Sequence, residues 1–160
     1  MLLSELIAAA GLAVRQTVGG DENIERVVCD SRAAAPDTLF VCIRGFTGDG
    51  HAFAQRAYAA GCRAFLAEAA LTLPDDAVLV YTNDTRRALA QVSAAFYGFP
   101  ARDLTVIGIT GTKGKTTTAL MLAAILSENG MPAGYIGSNG VDFMGNHFDT
   151  KNTTPESLKL

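Results

Sequence analysis

The stretch LTVIGITGTKGKTTT, residues 104–118, joins an apolar run to a glycine-rich turn and then to a helical pattern. Leu104-Thr105-Val106-Ile107-Gly108-Ile109 reads as a buried strand, and the helix is expected from about Lys115 to Asn129, with Gly130 ending it and Pro132 beyond. Strand, glycine turn and helix are the parts of a polyphosphate site. Glycines let backbone N–H groups turn inward, and the helix presents the positive end of its dipole. Lys115 can reach the β- and γ-phosphates, and the Thr116 hydroxyl can ligate Mg2+. The spacing departs from the general pattern G-x-x-x-x-G-K-[ST]. Ile109 stands where that pattern has glycine, Gly108 falls one residue early, and Gly111 lies inside the loop. A plain strand–turn–helix with a surface lysine is the alternative; three successive threonines beside Lys115 favour phosphate.

Upstream, the pattern alternates between strands and helices. Leu2, Leu3, Leu6 and Ile7 recur at helical spacing, and Gly11 can stop that helix. Short strands are expected at Arg26–Cys29, Thr38–Ile43, Ala64–Ala67 and Val78–Tyr81. A helix fits between His51 and Ala60, and another from Arg86 to about Tyr97 with Asn83 as its cap. Such alternation predicts an α/β domain with a substantially parallel sheet. Gly98-Phe99-Pro100 breaks the last helix, so the expected domains are 1–101 and 102–160. In the second, Ala133–Gly137 reads as the strand after the helix, and Val141–Phe148, with Gly145-Asn146 in the middle, as a hairpin. One helix cannot cover both faces of a parallel sheet, so the second domain is expected to be only the beginning of a larger one.

Composition narrows the function classes. A formal net charge of −3 gives no overall basic footprint for nucleic acid. No apolar run approaches the roughly 20 residues of a membrane span, and Glu5 in an opening without positive charge argues against a signal peptide. Cys29, Cys42 and Cys62 are an odd number at wide spacing, without a metal pattern. They read as buried free thiols of a reducing, cytoplasmic compartment.

TGTKGKTTT, residues 110–118, resembles the phosphate loop of the Mur ligases. Four further stretches match that family in order and spacing: Cys29-Asp30-Ser31-Arg32, Asp37–Val41 with Gly45, Asp49-Gly50-His51-Ala52-Phe53, and Asn152-Thr153-Thr154-Pro155-Glu156-Ser157. Each is weak alone; together they cover nearly the whole chain and point to the member that adds the third amino acid. The resemblance implies an ATP- and Mg2+-dependent amide ligation on UDP-N-acetylmuramoyl-L-alanyl-D-glutamate. ATP phosphorylates the free carboxylate, and the amine of an amino acid attacks the acyl phosphate. It places Gly111, Thr112, Lys113, Gly114, Lys115, Thr116 and Thr117 around ATP, with Lys115 as the catalytic group neutralising the transferring phosphoryl. Cys29, Ser31, Phe46, Thr47 and Gly48 would lie against the uridine nucleotide, and Asn152, Thr153 and Thr154 against the muramoyl peptide. The family's acidic metal ligand, modified lysine and amino-acid-selecting domain would lie beyond Leu160, so these residues alone are expected not to ligate. A monomer without nucleic-acid or membrane partners is expected.

Plainer readings stand beside these. Asp30-Ser31-Arg32 could be an Asx turn, Asp49 a cap for the helix near His51, and Thr154-Pro155 a helix entry. Lys113 stands where many relatives carry asparagine, and Cys29 where an apolar residue is usual. Rival functions are another ligase of the superfamily, such as the dipeptide-adding or folylpolyglutamate type, or a non-catalytic UDP-sugar-binding module.

Overall fold

Runs of apolar residues bounded by turns become the strands of the first unit. The computed structural model describes residues 1–45, 48–149 and 157–159, in two compact units, Met1–Asp103 and Leu104–Leu160. The first contains α1 (Leu3–Ala10), β1 (Val14–Val18), β2 (Arg26–Val28), β3 (Thr38–Val41), α2 (Ala54–Ala59), β4 (Ala64–Ala67), β5 (Val78–Thr82) and α3 (Thr85–Phe96). The sheet order is β1-β5-β4-β3-β2. β2 to β5 run parallel, and β1 pairs antiparallel with β5 at the edge.

Both faces of β3 and β4 are buried, as a parallel sheet between helices requires. Phe40, Cys42, Phe65, Ala67 and Leu79 share one face, covered by Ala54 and Ala57 of α2. Phe40 and Phe65 meet edge to face at 6.1 Å. Strand alternation sends Leu39, Val41, Leu66 and Val80 to the other face, where the paired helices α1 and α3 bury Leu3, Leu6, Leu89 and Val92.

One strand was missed and two expectations need correction here. β1 went unpredicted, because its residues are mostly exposed and, among the described residues, it pairs along one edge. Asp84, not Asn83, caps α3: its side chain accepts the Arg87 N–H at 2.9 Å. The helix expected from His51 starts instead as a 3-10 turn, Gly50–Phe53, capped by Asp49, and becomes α-helical only at Ala54.

The second unit contains α4 (Lys115–Glu128), β6 (Gly134–Gly137), β7 (Gly140–Phe143) and β8 (Asn146–Phe148). β6, β7 and β8 form an antiparallel meander, with Tyr135 buried. The β7–β8 turn is Met144-Gly145, both at positive φ, the geometry of a two-residue hairpin one residue earlier than expected. The strand expected at 104–109 is not formed: among the described residues nothing pairs with it, and Val106 is 76% exposed. A buried parallel strand needs ladder partners for its N–H and C=O groups, and β6 has its described pairing with β7 instead. The parallel β-α-β start is therefore absent from the described residues. No helix among them is long and apolar enough to cross a membrane.

Candidate functional site

Parallel strands place their carboxyl ends along one rim, where open α/β sheets receive ligands. The segments leaving β2, β3, β4 and β5 at this rim carry Asp30-Ser31-Arg32, the loop 42–50, Glu68 and Asp84-Thr85. Ser31 is buried, and Cys29 beside it is half-buried. The Asx turn expected as the plainer reading is present: Asp30 Oδ1 accepts the Arg32 N–H at 2.9 Å. The Arg32 guanidinium also grips the carboxylate, with Nη2 2.6 Å from Oδ2. The Arg32 side chain first, and its backbone N–H second, hold the Asp30 carboxyl down at about 2.

The loop 42–50 is cinched at its neck. Gly45 N–H donates to Gly48 O at 2.8 Å and Gly50 N–H to Ile43 O at 2.8 Å, while Arg44 and Asp49 face each other in a β-bridge. Gly50 is obligatory for contact reasons: a Cβ there would lie 2.7 Å from Ile43 N and 2.8 Å from Ile43 O. The neck places Gly48, a residue expected to touch the nucleotide, at the rim. Phe46 and Thr47, with the same expected role, lie outside the described residues, as do Asn152, Thr153, Thr154 and Pro155.

His51 is the node of this neck, its side chain largely covered at 10% exposed. Nδ1 lies 2.5 Å from Asp49 Oδ1, and Nε2 faces the N–H groups of Glu68 at 3.0 Å and Ala69 at 3.3 Å. Nε2 must accept from those donors, so the ring proton sits on Nδ1 and is donated to Asp49. The Asp49 carboxyl is held below its ordinary value, first by the His51 backbone N–H and then by the ring. Glu68 Oε1 accepts from the Thr85 N–H at 2.7 Å and its hydroxyl at 2.8 Å, which lowers the Glu68 carboxyl against the opposing effect of burial. Arg44 lies 3.9 Å from that carboxylate, and Arg15 of β1 donates to the Glu68 carbonyl. Sequence reading missed Glu68, Arg44 and Arg15. The available signal was a lone charged residue set directly after a buried strand.

In the second unit, Gly114 caps α4 at φ +78°, the left-handed conformation that favours glycine. The first turn of the helix begins with the Thr118 N–H bonded to Gly114 O at 2.8 Å, so the N–H groups of Lys115, Thr116 and Thr117 have no helical acceptor. Lys115 Nζ reaches back to Gly111 O at 2.6 Å, which holds the ammonium at the mouth of the turn. Gly111 to Thr117 are exposed except Thr116, which is half-buried. Unused N–H groups, a lysine and a threonine hydroxyl on one helix start fit a magnesium-bound polyphosphate.

The Mur ligase family matches in two parts: its catalytic domain over residues 23–97 and its middle domain over residues 109–160. The chain belongs to the Mur ligase family. Within it, the chain is similar to the UDP-N-acetylmuramoyl-L-alanyl-D-glutamate–2,6-diaminopimelate ligase of Chlorobaculum tepidum, with 44% identity over 163 residues covering 99% of this chain and 32% of that one. The chain thus spans about a third of the length of the relatives it matches, 32% and 29% for two of them. Among solved structures it resembles MurF from Acinetobacter baumannii, at 32% identity and TM-score 0.57, covering 78% of this chain and 27% of that one. It also resembles MurF from Thermotoga maritima in complex with ADP, at 30% identity and TM-score 0.50, covering 64% of this chain and 23% of that one.

Proposed function

We propose that this chain supplies the uridine-nucleotide rim and the phosphate loop of an ATP-dependent, ADP-forming amide ligase of peptidoglycan precursor synthesis. Its substrate is UDP-N-acetylmuramoyl-L-alanyl-D-glutamate, and 2,6-diaminopimelate, the amino acid in the relative's name, is the first amine to test. The helix start at Gly114–Thr117, with its unused N–H groups beside Lys115, carries this reading.

In the reaction, a free carboxylate oxygen of the muramoyl dipeptide attacks the γ-phosphorus and ADP leaves. The amine of the incoming amino acid then attacks the acyl carbon, loses its proton, and phosphate departs as the amide forms. Gly111 to Thr117 hold the phosphates through backbone donors. Lys115 moves from the Gly111 carbonyl onto the β- and γ-oxygens and neutralises charge developing there. The Thr116 hydroxyl would hold Mg2+, which supplies further charge neutralisation when bound. Cys29, Ser31 and Gly48 border the uridine nucleotide. The proposed domains are 1–101 for this nucleotide sugar and 102–160 for ATP. Three cysteines outside any disulfide agree with a cytoplasmic setting.

Calorimetry of the 160-residue chain tests the assignment, with UDP-N-acetylmuramoyl-L-alanyl-D-glutamate and magnesium–AMP-PNP as separate titrants. Saturable binding of the muramoyl compound is expected, with weaker binding of the ATP analogue that Lys115→Ala abolishes. No binding of the muramoyl compound at millimolar concentration overturns the substrate assignment. Equal binding of the ATP analogue by Lys115→Ala overturns the phosphate-loop role.

A further inference from the structure

We propose that His51 is a positioning residue for uridine-nucleotide binding, splicing the end of β4 to the neck of the loop that presents Gly48. This rests on the uridine reading of the carboxyl rim given above. Its basis is how the ring is used. Capping the 3-10 turn at Gly50–Phe53 needs only Asp49 Oδ1 and the His51 backbone N–H, which lie 3.0 Å apart. The imidazole is not needed for that bond. It spans instead from Asp49 to the N–H groups of Glu68 and Ala69, 17 and 18 residues downstream. A ring buried only to fill space would leave those two amides without it.

Through Asp49 and Glu68 the splice also reaches Arg44, just after β3, and the start of α3. Arg44 lies 3.6 Å from Asp49 and 3.9 Å from Glu68. Arg86 of α3 donates to the Arg44 carbonyl at 3.1 Å. Glu68 holds the first residue of α3 by two hydrogen bonds. Arg44 and Asp49, which flank Gly45 and Gly48 at the neck, are thus tied to the residue after β4 and to the start of α3 before any ligand arrives. A neck held in its binding geometry lowers the ordering cost of association, so the splice acts on affinity through Gly48 without touching the ligand.

The test uses the full chain, with UDP as the probe titrated by calorimetry, alongside amide hydrogen exchange at Gly45 and Gly50. His51→Ala is expected to raise the Kd for UDP about tenfold, the scale of one lost hydrogen bond, and to speed exchange at both glycines. His51→Gln, whose side-chain amide both accepts and donates, is expected to restore most of the affinity. Asp76→Asn, at the opposite rim, loses the ion pair with Arg63 and leaves one acceptor oxygen for the two donors Tyr58 and Arg63; it should lower the unfolding midpoint and leave the Kd unchanged. A His51→Ala Kd within twofold of wild type overturns the proposal, as does a glutamine variant no better than alanine. If His51→Ala does not fold, His51→Phe takes its place, keeping ring volume without the hydrogen bonds; if neither folds, His51 is a folding residue and the proposal falls. A wild-type chain that ignores UDP sinks the uridine reading itself, before any variant is compared.

Discussion

Gly50→Ala isolates the neck of the rim loop as a stability element. Gly50 is not at a positive φ, so an alanine there meets no conformational objection of its own. The new Cβ would instead lie 2.7–2.8 Å from backbone nitrogen and oxygen of Ile43, against an ordinary contact range of 3.4–4 Å. Backbone atoms cannot swing aside as a side-chain tip can, so the neck must open. Opening forfeits the Gly50 N–H to Ile43 O bond, worth about 1 kcal/mol, and adds overpacking strain of about 1–3 kcal/mol. The expected loss is about 2–4 kcal/mol, a fall in Tm of roughly 10 °C or more for a unit of this size. Gly11→Ala is the comparison: Gly11 has φ +57° and nothing within 4 Å, so its cost is conformational, about 1 kcal/mol. Native-state hydrogen exchange at the slowest amides of β3 and β4 measures both variants in the same unit. A Gly50→Ala chain within about 0.5 kcal/mol of wild type refutes the reasoning, because the contact would then have been relieved without opening the neck.

Phe65→Ala removes a fully buried ring that meets Phe40 and should cost about 3–5 kcal/mol by the same exchange measurement. Burial pushes the Cys42 thiol up to about 12 and the Cys62 thiol up to about 11. Maleimide at neutral pH should therefore leave both unmodified until urea is added, as mass spectrometry would show. Asp30 has a folded value of about 2 against an ordinary 3.8. The unfolded chain therefore takes up the proton first on acidification: the stability Asp30 contributes is complete above about pH 4 and is lost as pH falls towards 2. Urea unfolding at pH 5 and pH 3 should show a smaller acid loss in Asp30→Asn than in wild type. Lys115→Ala should leave the unfolding midpoint unchanged, because the residue is exposed and, among the described residues, its ammonium bonds within its own turn.

The first unit was legible wherever local pattern and tertiary need agree. Ala64–Ala67 is apolar because both faces of β4 are covered, so composition and burial carry the same message. At Val14–Val18 they part: an edge strand with mostly exposed residues shows no apolar run, and its place is set by pairing with β5 sixty-odd residues on. The converse holds at 104–109, where the run is apolar but has no ladder partner among the described residues. The helix start at Gly111–Thr117, proposed above to hold phosphate, could be picked out because that chemistry depends on consecutive residues. The rim was readable only in part: Ser31 and Gly48 lie in short motifs, whereas the contacts of Glu68 with Arg44 and His51 join residues 17 and 24 positions apart that only the sheet brings together.

Because the loops proposed to face the nucleotide all leave the same ends of β2 to β5, the amino ends of those strands offer a handle. Asp75, exposed just before β5, lies in that turn, beside Asp76, which must be kept because it ties down Tyr58 and Arg63. Biotin attached at position 75 would tether the protein to a sensor chip with its recognition side towards the flowing analyte.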